Sequence, residues 1–126
     1  MIRHGEPPYL ECSSRGDKRF SAFYAYLPAW KCTLEQAYQE AKKFEDGTTG
    51  RDIGWKNAKG KKAVNQEELA QWYGRLWDYY IMLHPDYIDD LKAASGLSDM
   101  FGQEGHVCQA TELWRIRNDF IRIEGN

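Results

Sequence analysis

The stretch "NQEELAQWYGRLWDYYIMLHP", Asn65 to Pro85, decides the fold. Leu69, Trp72, Tyr73, Leu76, Trp77, Tyr80 and Leu83 recur at three- and four-residue intervals, which places them on one face of a helix. Asn65 followed by Glu68 is a start signal. His84-Pro85 ends the run, and Pro85 suits the first turn of the next helix, over about 86–95. That helix turns Ile88, Leu91 and Ala94 inward and stops at Gly96.

Towards the N-terminus, "CTLEQAYQEAKKFEDG", Cys32 to Gly47, predicts an earlier helix. Thr33 and Gln36 have capping-box spacing, Leu34, Ala37, Tyr38, Ala41 and Phe44 form its apolar stripe, and Gly47 is its stop. The aromatic-rich "RFSAFYAYL" predicts a strand from Phe20 to Leu27, closed by Pro28. Residues 1–19, broken by Pro7-Pro8 and Gly16, read as an irregular segment with a short strand at Tyr9–Cys12. Residues 46–63 read as a loop or short helices. Beyond Gly96, Leu97 to Gly105 read as a loop, and a last helix runs from about His106 to Asn118 with Val107, Ala110, Leu113 and Trp114 inward. "FIRIEG" after it reads as a short strand or a frayed tail. The expectation is one mainly α domain over 1–126, an α+β chain with minor strand near its N-terminus.

The chain has 126 residues, which fits one domain of common size. Its charged residues, 29% of the total, nearly cancel to a net charge of −2, which excludes a nucleic-acid binder driven by charge alone and leaves room for a local basic pocket. Aromatics reach 14%, enough either for a core of large rings or for a groove in which rings stack on bases or sugars. No apolar run approaches the roughly 18 residues of a membrane span, and no signal peptide is visible. Three cysteines without paired spacing fit a reducing interior, so a cytoplasmic location is expected.

Neither a metal nor a cofactor is called for. His106 and Cys108 form one close pair with no second pair to match it, and no phosphate-cradling GxxxxGK element is present. The loop "RDIGWKNAKGKK" sets Arg51, Lys56, Lys59, Lys61 and Lys62 around Gly54, Trp55 and Gly60. Glycines let backbone amides approach an anion and lysines neutralise it, although a solvated loop has the same composition. "SSRGDKR", Ser13 to Arg19, is a second basic patch. Glu35 lies in the first turn of a helix, where the dipole and free amides stabilise any carboxylate. Asp99 lies in a glycine-bearing segment, where it reads as a turn former or cap.

Taken in order, these segments resemble one family. "TLEQAYQEAKKF" is similar to its helix pattern S-x-E-H/Q-x-(Y/F)-Q-x-x-K-F, "RFSAF" to its F-S-N-F, and "AKGKK" to its A-K-x-x-G-R-K. "HPDYIDDL" is similar to N-P-E-L-x-x-x-L, "DMFG" to D-x-F-W-G, and "GHVCQATELWRIR" to the closing G-x-N-x-L-G-x-L-L-M-x-x-R. The family is NADAR, also called YbiA-like, and the resemblance runs from about Phe20 to Arg117 within a core of 20–118. Three positions depart from it: Asn65 where the family has Trp, Ala22 where it has Asn, and Phe101-Gly102 in place of a Phe-Trp-Gly.

The resemblance implies a largely helical fold with one pocket and N-glycosidase chemistry on ribosyl compounds. The implied partners are a small-molecule nucleotide, such as a phosphoribosyl-amino-pyrimidine, or nucleic acid carrying ADP-ribose on guanine, and no membrane. The family's glutamate falls on Glu35 and its loop aspartate on Asp99. Lys59, Lys61 and Lys62, joined by Arg19 and Lys43, are the expected phosphate contacts, with Trp55, Phe23 and Gln39 as further ligand contacts. A carboxylate beside the sugar would stabilise the positive charge of the transition state or activate water. Two other readings remain: a binder that retains such a ligand uncleaved, and an interaction protein whose tryptophans dock on a flat partner surface.

Overall fold

The computed structural model describes residues 1–125. It is an α+β arrangement, 48% helix and 14% strand, so the helical expectation holds at that level. The long amphipathic stretch forms α4, Gln66–Met82, and the proline-led stretch forms α5, Pro85–Ala93. Leu69, Tyr73, Leu76, Trp77, Tyr80 and Ile81 of α4 are buried. Tyr73, Leu76, Trp77, Tyr80 and Ile81 meet Phe20, Leu27, Leu34, Leu91, Leu97 and Leu113 in one apolar cluster. Rings pack edge-on along α4, Tyr73 against Trp77 and Trp77 against Tyr80, an arrangement that sets the positive edge of one ring on the negative face of the next.

The N-terminal segment corrects the sequence reading. The short strand expected at Tyr9–Cys12 is present as β2, Tyr9–Glu11, but Ile2–Gly5, read as irregular, is a further strand, β1. They lie on either side of β5, Gly96–Asp99, whose four residues the sequence reading assigns to a helix stop and the start of a loop. β1 runs antiparallel to β5, with Ile2 opposite Asp99, and β2 runs parallel to it, with Tyr9 opposite Gly96. Every residue of β5 is buried. A four-residue strand carries too few alternations to announce itself, and its stability comes from two partners distant in sequence.

The predicted strand Phe20–Leu27 is also corrected. Asp17 caps a 3₁₀ turn over Lys18–Phe20, tight turns follow through Ala25, and only Tyr26–Leu27 extend, as β3, to pair with β4, Cys32–Thr33. The buried positions in this stretch are Phe20, Ser21, Ala22, Ala25 and Leu27, which is not the alternation of a strand.

The helix after Thr33 is shorter than its stripe suggested. Thr33 accepts from the Gln36 amide as foreseen, but α1 covers only Leu34–Glu40. "EDGTT" folds into a tight turn in which Asp46 accepts from both the amide and the hydroxyl of Thr48, and Gly47 takes φ +87°. The chain doubles back, and Gly50 N donates to Lys42 O at 2.8 Å. A Cβ on Gly50 would sit 1.8 Å from Gln39 O, so only glycine lets α2, Gly50–Ile53, approach the end of α1. A further short helix, α3, spans Trp55–Ala58. The last helix, α6, is Gln109–Glu124, so it starts later than expected and absorbs the "FIRIE" tail.

Candidate functional site

A cavity of about 810 Å³ opens between α1, the basic loop after α3, the end of β5 and the segment leading into α6. That is ample for a nucleotide-sized ligand, since such pockets run from roughly 300 to 1,000 Å³. Glu35, Gln39 and Lys42 line one wall. Their spacing of four and then three residues sets all three on one side of α1 and the turn that continues it.

Each is held differently. Gln39 Nε2 donates to Glu35 Oε1 at 2.9 Å, and it is the one side-chain donor to that carboxylate among the described residues. Lys42 is buried, and its Nζ donates to the carbonyls of Ala58 and Lys61, both at 2.9 Å. It therefore ties the end of α1 to the basic loop from beneath. Burial pushes the Lys42 amine below its ordinary value, and the negative charge of Glu35 offsets part of that. Tyr38 and Tyr73, both lining the cavity, pack edge-on at 5.2 Å between ring centres. Burial first, then Glu35, raises both phenols, so they remain hydroxyl donors at neutral pH.

The same cavity is lined by Asp99, at the end of β5. Asp99 Oδ1 accepts from Phe101 N at 3.0 Å. Its Oδ2 accepts from Gln109 Nε2 at 3.1 Å and from Cys108 Sγ at 3.7 Å. Gln109 closes a bridge, because its Oε1 accepts from Ala22 N at 2.7 Å. Asp99, the residue that opens α6 and the turn after Phe20 are thereby locked together. Phe23 and Phe101 stand exposed at the mouth, Phe23 with Lys59 Nζ 4.8 Å above its ring and Phe101 with Arg15 5.8 Å from its ring.

The residues expected from sequence divide cleanly. Glu35, Asp99, Gln39, Phe23, Lys61 and Lys62 line this cavity. Lys59 and Trp55 do not line it: Lys59 Nζ sits 4.8 Å from the ring of Phe23, which does, and 5.2 Å from the ring of Trp55. Arg19 and Lys43 are corrections. Arg19 pairs with Asp17 at 2.7 Å and with Asp90, and its guanidinium lies between Phe20 and Tyr87, so it staples the 3₁₀ turn to α5. Its charge is spent in that pairing, away from the cavity. Lys43 is exposed and pairs with Glu68 at 3.3 Å. The lysine on the cavity is its neighbour Lys42, which the 35, 39, 42 spacing would have found. Tyr38, Tyr73 and Gln109 were also missed as site residues, the tyrosines because core packing explains the same periodicity.

Asn65, where the resemblance expects Trp, lies outside the cavity lining. It precedes α4 as its start signal required, and Nδ2 donates to Glu68 Oε1 at 3.3 Å, but its side chain also holds the segment after α1: Oδ1 accepts from Lys43 N at 3.0 Å and Nδ2 donates to Ala41 O at 3.2 Å. No described helix is long and apolar enough to cross a membrane. Searches for related proteins found no family profile and no curated protein that matches this chain.

Proposed function

We propose that the cavity is the active site of a hydrolase that cleaves the N-glycosidic bond of a ribosyl compound, as the resemblance to the NADAR family implies. The observation that carries this reading is the convergence of Glu35 and Asp99, from distant parts of the chain, on one cavity with Lys61 and Lys62 beside them. A concave site shared by two carboxylates and two lysines suits an anionic sugar ligand better than a flat docking face would.

In this reading the two carboxylates have separate tasks. Glu35 has lone pairs open to the cavity and takes a proton from water as the water oxygen bonds to C1′. The C1′–N bond breaks, its electron pair leaves with the base nitrogen, and the proton taken by Glu35 is returned through solvent to that nitrogen, which restores the carboxylate. Asp99, already engaged by three donors, orients a ribose hydroxyl or supports the site without transferring the proton. Lys61 and Lys62 face the phosphate, and Phe23 offers a ring face to the base. The substrate class is either ADP-ribose joined to guanine in nucleic acid or a phosphoribosyl-amino-pyrimidine.

The test is incubation of the protein with both substrates, with products read by mass. Glu35→Gln should reduce release of free base or ADP-ribose by about two to four orders of magnitude while the protein stays folded. Unchanged release sinks the assignment. A second reading, a binder without turnover, is favoured by the saturation of Asp99, since a carboxylate with three donors has little left for a substrate. Calorimetric binding with no product would select it.

A further inference from the structure

Glu11 stands outside the cavity lining, yet the donors to its side chain are all sequence neighbours of residues that line it. Glu11 Oε1 accepts from Ser98 Oγ at 2.7 Å. Its Oε2 accepts from Met100 N at 3.0 Å and from Ser13 N at 3.1 Å. Donors on two separate segments need a group with several lone pairs, which a carboxylate has. Ser98 and Met100 flank Asp99, Met100 also precedes Phe101, and Ser13 precedes Ser14. Asp99, Phe101 and Ser14 all line the cavity. Successive side chains of an extended chain point to opposite faces, so Ser98 turns to Glu11 while Asp99 turns to Gln109. The backbone of Glu11 holds the neighbouring loop. Its carbonyl accepts from Asp17 N at 2.9 Å, and a Cβ on Gly16 would lie 2.1 Å from that oxygen. The loop so closed carries Arg15 to within 5.8 Å of the Phe101 ring centre. Burial by itself would raise the Glu11 carboxyl, but the bonds from Ser13, Ser98 and Met100 outweigh it and hold the group below its ordinary value.

We propose that Glu11 is a positioning residue for this site: through Ser98 and Met100 it fixes the strand end that aims Asp99, and through Ser13 it sets the loop that meets Phe101. It acts through these neighbours and not on a ligand. What it does to turnover rests on the proposed hydrolysis; what it does to Asp99 does not.

The experiment compares the wild type with Glu11→Met and Glu11→Gln in the full chain. Met keeps the length and removes the acceptors. Gln keeps all three bonds, since one amide oxygen accepts both backbone amides and the Ser98 hydroxyl turns to accept from the amide nitrogen. Amide hydrogen exchange by NMR is the first readout. The Phe101 amide is held by Asp99 Oδ1 and not by Glu11, so it reports whether the change is passed on. In Glu11→Met its exchange should quicken about tenfold relative to the amides of α4, alongside that of Met100, and Glu11→Gln should match the wild type. The second readout is turnover of the two substrates. Glu11→Met should lower kcat about tenfold to a hundredfold, as a small misplacement does, and should add nothing in an Asp99→Ala background. A tie that serves the fold alone predicts quickened exchange at Met100 with Phe101 still protected, and a loss that multiplies with that of Asp99→Ala; either result overturns the proposal. Glu11→Gln behaving like Glu11→Met does the same. Where Glu11→Met does not fold, Glu11→Asp, one methylene shorter, is read by the same criteria. A protected Phe101 amide alongside Glu35-dependent release of base removes the role of Glu11 and leaves the hydrolase reading intact. A quickened Phe101 amide with no release from either substrate removes the hydrolase reading and leaves Glu11 as the residue that aims Asp99.

Discussion

Two carboxylates share one cavity in this protein, and their surroundings differ. Asp99 stands on a strand buried between two others and accepts from a backbone amide, a glutamine and a thiol. Glu35 stands in the first turn of a seven-residue helix and accepts from one glutamine. A carboxylate surrounded by donors holds structure together, because each donor was desolvated to reach it. One with open lone pairs is free to act on something that arrives. Counting acidic residues in a pocket does not separate these roles, whereas counting their donors does.

Mutations sharpen that contrast. The largest effect belongs to Glu35→Gln, on turnover alone: its melting temperature should stay close to wild type while product release falls. Asp99→Asn should show the reverse balance. The amide keeps one acceptor oxygen, which can serve Phe101 N or Gln109 Nε2 but not both, so one of these donors meets an N–H, and the loss is about 1–3 kcal/mol of stability. Thermal melting should fall by several degrees for a chain of this length. An unchanged melt for Asp99→Asn would erase the distinction between the two carboxylates.

Lys42 supplies the next test. Its amine titrates below the ordinary lysine value of 10.5 because it is buried, and the Glu35 charge pulls it part of the way back. NMR of the isotopically labelled amine should find it below the exposed lysines, and lower still in Glu35→Gln. The sign for stability follows from proton counts. Between the depressed folded value and 10.5 this one amine binds more protons in the unfolded chain than in the folded one, so its own contribution to stability rises with pH across that window, against the opposite contribution of the buried phenols. Lys42→Met should remove that contribution, so the stability of the variant falls more steeply with pH there than that of the wild type, and parallel profiles would contradict the placement. The smallest effect is that of Lys43→Ala. An exposed pair such as Lys43–Glu68 contributes little, so neither melting nor binding should move much.

How much of this was legible in the sequence depended on the range of the contacts. α4 declares itself because its burial is a property of its own periodicity, and the start of α1 because Thr33 caps a neighbour three residues on. The end of α1 was misjudged because the turn at Asp46–Thr48 and the fit of Gly50 against Gln39 override an apolar stripe that runs on to Phe44. β1 and β5 were missed because each is short and is stabilised by a partner at the other end of the chain. Among candidate residues, the ordered motifs name Glu35, Gln39, Asp99, Lys61 and Lys62, which line one cavity. They failed for Arg19 and Lys43, since residue type does not reveal that Asp17 and Asp90 neutralise one and Glu68 the other.

The central place of β5 also bears on how the protein comes into being. β1 and β2 do not touch each other as strands; each needs Gly96–Asp99 between them. On a ribosome adding roughly 5–20 residues per second, those two segments wait on the order of ten seconds before their common partner emerges. During that interval both carry unpaired backbone edges, while the residues of α1 and α4 have already been synthesised. The elements of the wall bearing Glu35 are thus available early, whereas the strand bearing Asp99 is paired only once Gly96–Asp99 meets β1 and β2.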